Sequence, residues 1–345
     1  MKQLLVICGP TATGKTKLAL QIAQDNEADL ISADSRQVYR GMDISTGKDT
    51  PENFIFLPAG RQGQISRLQL PSAEAGGEQA NIKLKQNSIG YFTDGKTRLW
   101  GMDLVDPDEE FSVTDFVRFA VPVIKTIWGD NRLPIVVGGA GLYLRALLGK
   151  LPDIYIPRNS LLRKELEKKQ LHELQVELQR IDLEKFQSLN NSDANNPRRL
   201  IRAIEIASAK NDHNVPPGEL FKVNADLLSI GLTAPIAVLG QRITNRVQER
   251  LQQGVVAEVE KLLTCGYSWG LPAMSALGIR QWQPYFEKVA SLEEVKRKWI
   301  VDETNFAKRQ LTWFRKEPGV VWFDSTNPDF KEQVIERFRK WYTKS

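Results

Sequence analysis

Residues 4–8 form a short unbroken apolar run, followed by a glycine-containing turn and a stretch in which Leu18, Ala19, Ile22 and Ala23 recur at helical spacing. The run predicts a fully buried strand and the recurrence predicts an amphipathic helix, so the chain opens as strand, loop, helix. Residues 28–33 predict a second buried strand ending in a polar cluster, and residues 134–137 a third ending in Gly138-Gly139-Ala140-Gly141. Buried strands alternating with helices predict an α/β fold, a parallel sheet core flanked by helices. Open sheets of this kind place their ligands at the carboxyl ends of the strands.

The pattern changes along the chain. Residues 58–97 are rich in Gly, Gln, Ser and Lys with weak periodicity, which predicts a long surface excursion closing in a hairpin near 89–92. From 158 to 195 the chain is strongly charged, with Leu161, Leu162, Leu166, Leu171, Leu174 and Leu178 at helical spacing, which predicts a small all-helical insertion domain. Asn196-Pro197 has the form of a helix start, with Leu200, Ile201, Ile204 and Ala207 as the buried stripe and Arg198, Arg199 and Arg202 on the other side. A long helix is expected over 237–263, carrying Arg242, Arg246 and Arg250 along one face, and another over 302–315 with Lys308, Arg309 and Arg315 among aromatics. The expected organisation is a first core part over 1–157, the helical insertion over 158–196 and a mostly helical second core part over 197–345.

Composition narrows the chemistry. With 345 residues, 41% hydrophobic and 26% charged, the chain can bury a sizeable core and has the profile of a globular protein. Two cysteines, Cys8 and Cys265, stand far apart and only two histidines occur, so a zinc site, a disulfide framework and a Ser-His-Asp hydrolase are poor readings. With two isolated cysteines a reducing cytoplasm is the expected location, and no stretch approaches a membrane-spanning length. The net charge of +5 permits a polyanionic partner.

Residues 9–16, Gly-Pro-Thr-Ala-Thr-Gly-Lys-Thr, match the phosphate-loop pattern G-x-x-x-x-G-K-[ST] between an expected strand and an expected helix. Gly9 and Gly14 let the backbone wrap an anion, inward amides and the helix N-terminus add positive potential, Lys15 supplies a point charge, and Thr16 is placed to ligate Mg²⁺. The alternative is a tight strand-to-helix turn that binds nothing. Asp34, at the end of the second expected strand, is a candidate general base, a Mg²⁺ ligand through water, or a helix cap. Kinases, NTPases and prenyl-diphosphate users all exploit such a loop. Three basic helix faces with nearby aromatics favour a nucleic-acid partner over a small metabolite, because phosphates reward clustered Arg and exposed bases reward stacking.

At this point the chain resembles the tRNA dimethylallyltransferase family. GPTATGKT, ISADSRQVYRGMDISTGK (31–48), LVDPDEEFSVTDF (104–116), VVGGAGLYLRALL (136–148), NPRRLIRAIEI (196–206) and AKRQLTWFR (307–315) occur in the family's order through nearly the whole length. The resemblance implies a P-loop NTPase-like core and transfer of a dimethylallyl group from dimethylallyl diphosphate to the exocyclic amine of the adenosine immediately 3′ of the anticodon, with Mg²⁺ and release of pyrophosphate. It implies Gly9, Thr11, Ala12, Thr13, Gly14, Lys15 and Thr16 around the diphosphate, Thr16 on the metal, Asp34 as the base and Arg242 as a second clamp on pyrophosphate. It further implies Ser35, Arg36 and Gln37 reading the flipped adenosine and its neighbours, and Arg198, Arg199 and Arg202 contacting the tRNA anticodon stem-loop. A monomer is expected.

Some positions depart from the family pattern: Ala140 stands where a Thr normally lies beside the acceptor adenosine, Ser45 interrupts the usual DIGT, Ile279 replaces an aromatic, and Leu99 to Asp103 replace an HHLID-like stretch. Lys15, Thr16, Asp34 and Arg242 are retained, so an active enzyme is expected. The competing readings are a small-metabolite kinase with ATP in the loop, and a tRNA-binding descendant without turnover.

Overall fold

The computed structural model describes residues 1–58, 89–156, 158–211 and 223–342. They fall into two compact units: residues 1–58, 89–148 and 223–342 in one, residues 149–156 and 158–211 in the other.

The larger unit is built on an eight-stranded sheet of β1 (Gln3–Cys8), β2 (Ala28–Ser32), β3 (Ile55–Pro58), β4 (Gly90–Thr93), β5 (Arg98–Trp100), β6 (Leu133–Gly138), β7 (Asp226–Thr233) and β8 (Val320–Asp324). The spatial order is β3-β4-β5-β2-β6-β1-β7-β8. The six strands from β5 to β8 in that order are parallel, and β3 and β4 add an antiparallel edge. All six residues of β1 and of β6 are buried, as strands covered on both faces must be. On one face Leu5, Ile7, Leu30, Ile135, Val137 and Ile230 pack with Leu18, Ala19, Ile22 and Ala23 of α1 (Lys15–Asp25) and with Val334 and Phe338 near the C-terminus. Alternation turns Leu4 and Val6 to the other face.

The remaining helices of this unit are α2 (Asp43–Thr46), α3 (Val113–Gly129), α4 (Gly141–Leu147), and, beyond the second unit, α10 (Ile236–Gln252), α11 (Val255–Thr264), α12 (Gln283–Phe286), α13 (Leu292–Phe314) and α14 (Phe330–Tyr342). α3 packs on β2 and β6 and begins with a capping box between Ser112 and Asp115.

The second unit contains α5 (Ser160–Leu166), α6 (Leu171–Ile181), α7 (Leu183–Gln187), α8 (Asn191–Ala194) and α9 (Pro197–Asn211). Leu166, Leu174 and Leu178 bury against Leu200, Ile201, Ala203 and Ile204 of α9. That packing corrects the expected boundary at 196: α9 completes the core of the helical unit, whose described residues run on to Asn211, instead of opening the second core part. The Asn196 side chain caps α9 as expected, accepting from the Arg199 N–H at 3.3 Å.

Two further expectations are corrected. Residues 90–97 belong to the sheet and not to a surface excursion, because Gly90–Thr93 pairs on both sides and Asp94 closes the turn into β5 by accepting from the N–H groups of Lys96 and Thr97; residues 59–88 lie outside the described residues. The long helix expected over 237–263 is two helices, broken at Gly254, whose left-handed backbone (φ 94°) ends α10 and begins α11. Residues 223–342 are mostly helical and also supply β7 and β8. Among the described residues no helix is long and apolar enough to cross a membrane.

Candidate active site

The carboxyl ends of β1, β6 and β2 lie side by side in the sheet, and the three loops that follow them interlock. Ala33 N–H donates to Val137 O at 2.8 Å and Ala140 N–H to Ala33 O at 3.3 Å. A Cβ on Gly138 would lie 2.2 Å from Ala33 O, and one on Gly139 would lie 3.4 Å from Gly9 O. The phosphate loop, the Asp34 turn and the Gly138-Gly139-Ala140 turn therefore share one strand-end crevice.

The phosphate loop has the backbone its sequence demands. Gly9 sits at φ 130°, where a Cβ would lie 2.2 Å from Leu232 O, and Gly14 at φ 83° leads into α1. Thr13, almost fully buried, donates its hydroxyl to Pro10 O at 2.9 Å, so this side chain shapes the loop and is not turned to a ligand. Lys15 Nζ donates to the same carbonyl at 2.7 Å. Burial of its ammonium, then the neighbouring Arg246, push the Lys15 pKa down to about 8, while Asp34, Cys8 and Asp49 pull the other way. A buried cation facing other cations gains most from an arriving anion. Thr16 lies in the first turn of α1 and its hydroxyl bonds to none of the described residues.

α10 supplies the loop's outer wall. Arg242 Nη1 donates to Ala12 O at 3.2 Å and to Ser325 Oγ at 2.9 Å, and its Nη2 to Ser325 O at 3.2 Å. Arg246 Nη1 donates to Thr11 Oγ1 at 3.0 Å, and its Nη2 lies 3.7 Å from the exposed Asp49. Arg250 is buried against Glu303 at 3.5 Å and over the Trp299 ring at 5.8 Å. The expected basic face of this helix is thus no nucleic-acid surface: two of its arginines hold the phosphate loop and the third is internal. α13 reaches the loop as well, since Gln310 Oε1 accepts from Thr11 N–H at 2.9 Å and its Nε2 donates to Gly139 O at 2.9 Å.

Asp34 uses Oδ1 to accept from Arg36 N–H at 2.8 Å, which closes a turn instead of capping a helix, because residues 35–38 are turn, while Oδ2 bonds to none of the described residues. Its charge reaches both Lys15 and the buried Tyr143, whose hydroxyl is held protonated mainly by burial and secondly by Asp34. Gln37 Oε1 accepts from Ser32 Oγ at 2.7 Å and its Nε2 donates to Gly47 O at 2.8 Å, so both ends of the amide fix the turn. Arg36 Nη1 donates to Pro272 O at 2.7 Å, and Ser35 and Ala140 are partly exposed at the crevice. In the helical unit Arg198 and Arg199 are exposed, Arg199 pairing with Asp193. Arg202 departs from the expected surface role, because it donates to Ile156 O at 2.6 Å and shares the buried Glu205 with Arg163. Exposed Lys308 and Arg309 remain on α13 and Arg315 caps its C-terminus, with Arg309 over Phe306 at 5.8 Å.

Arg246, Ser325 and Gln310 were not singled out as site residues from sequence. Arg246 had a signal in its four-residue spacing from Arg242, and Gln310 lies inside the AKRQLTWFR segment. Taken together, the crevice offers a cationic cradle for a diphosphate, a hydroxyl for a hard cation and a carboxylate oxygen for a proton.

Known proteins resemble the chain over its length. The family model described as IPP transferase matches residues 96–317, and the one described as isopentenyl transferase matches residues 2–57. A tRNA dimethylallyltransferase from Roseiflexus sp. (strain RS-1) is 34% identical over 351 residues, covering 99% of each chain. The crystal structure of the full-length tRNA isopentenylpyrophosphate transferase from Bacillus halodurans is 31% identical, with a TM-score of 0.64 over 100% of this chain and 97% of that one. That of the tRNA delta(2)-isopentenylpyrophosphate transferase from Staphylococcus epidermidis is 28% identical, with a TM-score of 0.62 over the full length of both.

Proposed function

The chain belongs to the IPP transferase family of tRNA dimethylallyltransferases and is a prenyltransferase acting on tRNA, and from that premise we propose the donor, the acceptor atom and the residues that join them. The donor is dimethylallyl diphosphate, its diphosphate held by the backbone of residues 9–16 with Lys15, Arg242 and Arg246 around it. The acceptor is the exocyclic amine of the adenosine immediately 3′ of the anticodon. The amine nitrogen bonds to the allylic carbon, the carbon–oxygen bond to the diphosphate breaks, pyrophosphate leaves, and Asp34 Oδ2 takes the proton from nitrogen.

Charge accumulates on the leaving oxygen as that bond breaks, so three cations fixed at the loop before the reaction lower the barrier by electrostatic stabilisation. Thr16 fits Mg²⁺ through its hydroxyl oxygen, and the bound ion would add further positive charge at the diphosphate. The exposed Arg198 and Arg199 serve the tRNA backbone, contributing affinity without sequence choice. The enzyme acts in the cytoplasm, where its tRNA substrate is.

The observation that carries this reading is the convergence of Lys15, Arg242 and Arg246 on one strand-end loop that also borders Asp34. The test is incubation of the purified protein with unmodified tRNA, Mg²⁺ and labelled dimethylallyl diphosphate, with labelled ATP as a parallel donor. Label at the adenosine beside the anticodon is the expected result. Binding of tRNA without label in it would replace the reading with a non-catalytic binder, and phosphate transfer from ATP to a small acceptor would replace it with a kinase.

A further inference from the structure

Gln310 lies on α13, remote in sequence from both loops it touches. Its Oε1 accepts from the Thr11 N–H at 2.9 Å and its Nε2 donates to Gly139 O at 2.9 Å. Gln310 is itself almost fully buried, so neither bond is exchanged readily with solvent. The close approach has a cost in sequence freedom: a Cβ on Gly139 would lie 2.3 Å from Gln310 Nε2, so only glycine admits the amide there.

The two partners belong to different halves of the proposed reaction. Thr11 is in the phosphate loop that holds the donor, and Gly139 precedes Ala140 at the turn beside the acceptor. The two turns lie close, since a Cβ on Gly139 would also lie 3.4 Å from Gly9 O. Yet among the described residues Gln310 is the one side chain whose hydrogen bonds link the phosphate loop to the Gly139 turn. The amide is suited to this: it offers one acceptor and one donor on opposite branches of a planar group, so it satisfies an N–H and a C=O at once and fixes the distance between them.

We propose that Gln310 is a positioning residue that sets the separation of the donor loop from the acceptor turn, so that the transfer step depends on it while substrate binding does not. It touches neither reacting atom. This rests on the proposed reaction, because donor and acceptor sides are assigned by that reading. A misplacement of reacting groups by about 1 Å can cost on the order of a hundredfold in rate, whereas each substrate is held mainly by groups other than Gln310.

The test uses the full chain and two variants, with wild type in parallel. Q310M keeps the side-chain length and removes both hydrogen bonds; Q310E keeps the acceptor for Thr11 N–H and removes the donor to Gly139 O. Thermal unfolding is recorded for all three, with kcat, the donor KM and the tRNA Kd. The expected result is a fall in kcat of roughly tenfold to a hundredfold in both variants, with the donor KM and the tRNA Kd within about threefold of wild type. An unchanged kcat, or a rise in the donor KM or tRNA Kd that accounts for the whole loss of kcat/KM, would overturn the inference while leaving the proposed reaction standing. A wild type that transfers no label overturns the reaction itself, and this inference with it.

Discussion

Arg246 donates to the Thr11 hydroxyl at 3.0 Å, and the same guanidinium is the charge that most lowers the pKa of Lys15 after burial. Two cations are therefore held close together by a loop whose own sequence supplies only one of them. With Arg242 on Ala12 O, the loop is braced from α10 before any anion arrives. The brace is a cost in the free protein and an advantage when a diphosphate enters.

Replacing either arginine should separate the two contributions. Arg242→Ala and Arg246→Ala each remove a charge-assisted contact of about 1.5–3 kcal/mol, which is roughly a ten- to hundredfold loss in kcat/KM for the donor. Steady-state kinetics at varied donor concentration reads this. Unchanged donor dependence in the Arg246→Ala protein would remove that residue from the diphosphate site.

Asp34→Ala should lower the transfer rate by a factor on the order of 10² to 10⁴, the range of general-base catalysis, with tRNA binding within about threefold of wild type. Filter binding beside single-turnover transfer checks both. Equal loss of binding and rate would assign Asp34 to shaping its turn through the Arg36 N–H and to nothing further.

Lys15 makes donor use depend on pH. Its pKa in the free protein is about 8, so below that value the ammonium is charged and ready for the diphosphate, and above it binding must first take up a proton. The profile of log kcat/KM for the donor should be level with respect to this group below pH 8 and fall with slope −1 above it. Arg246→Ala should move the break upward, because it removes a cation that disfavours the charged form. A break that stays in place would show that burial alone sets it.

Thiol labelling should distinguish the two cysteines. Cys8 is buried at the end of β1, and burial pushes its thiol up to about 12, whereas Cys265 is exposed. One thiol per chain should react with a disulfide reagent in the folded protein and two after unfolding. Fast reaction of both in the native state would contradict the burial of β1.

The parts legible in the sequence were those fixed by neighbours along the chain. Gly9, Gly14 and Lys15 announce their loop because a phosphate cradle requires those residues at those offsets, and Asp34 is placed by the strand before it. Leu174 and Leu178 likewise announce a helical unit, but not that α9 closes its core, since Leu200 and Ile204 would read the same against any apolar partner. The arginine spacing on α10 is equally that of a solvated face and of a wall turned to the loop, and only the β7–β8 side of the sheet, with Ser325 at its end, decides between them. The break at Gly254 is hidden because Val255 and Val259 continue the apolar stripe past it. Gln310 carries neither charge nor periodicity; its meaning lies wholly in two backbone groups remote in sequence.

The sheet order bears on how the protein is made. β1 is synthesised well before its neighbours on either side, β6 and β7, and the helices α5 to α9 lie between those two in the chain. At 5–20 residues per second, roughly ten to fifty seconds separate the synthesis of Cys8 in β1 from that of Thr233 in β7. During that interval the wholly buried β1 has no complete place to pair, while the helical unit, whose core lies within residues 162–204, can already fold. The phosphate loop is thus synthesised well before the strand that completes its surroundings, so a nascent chain halted before β7 carries the motif without the site, and an incompletely paired strand for chaperones to cover.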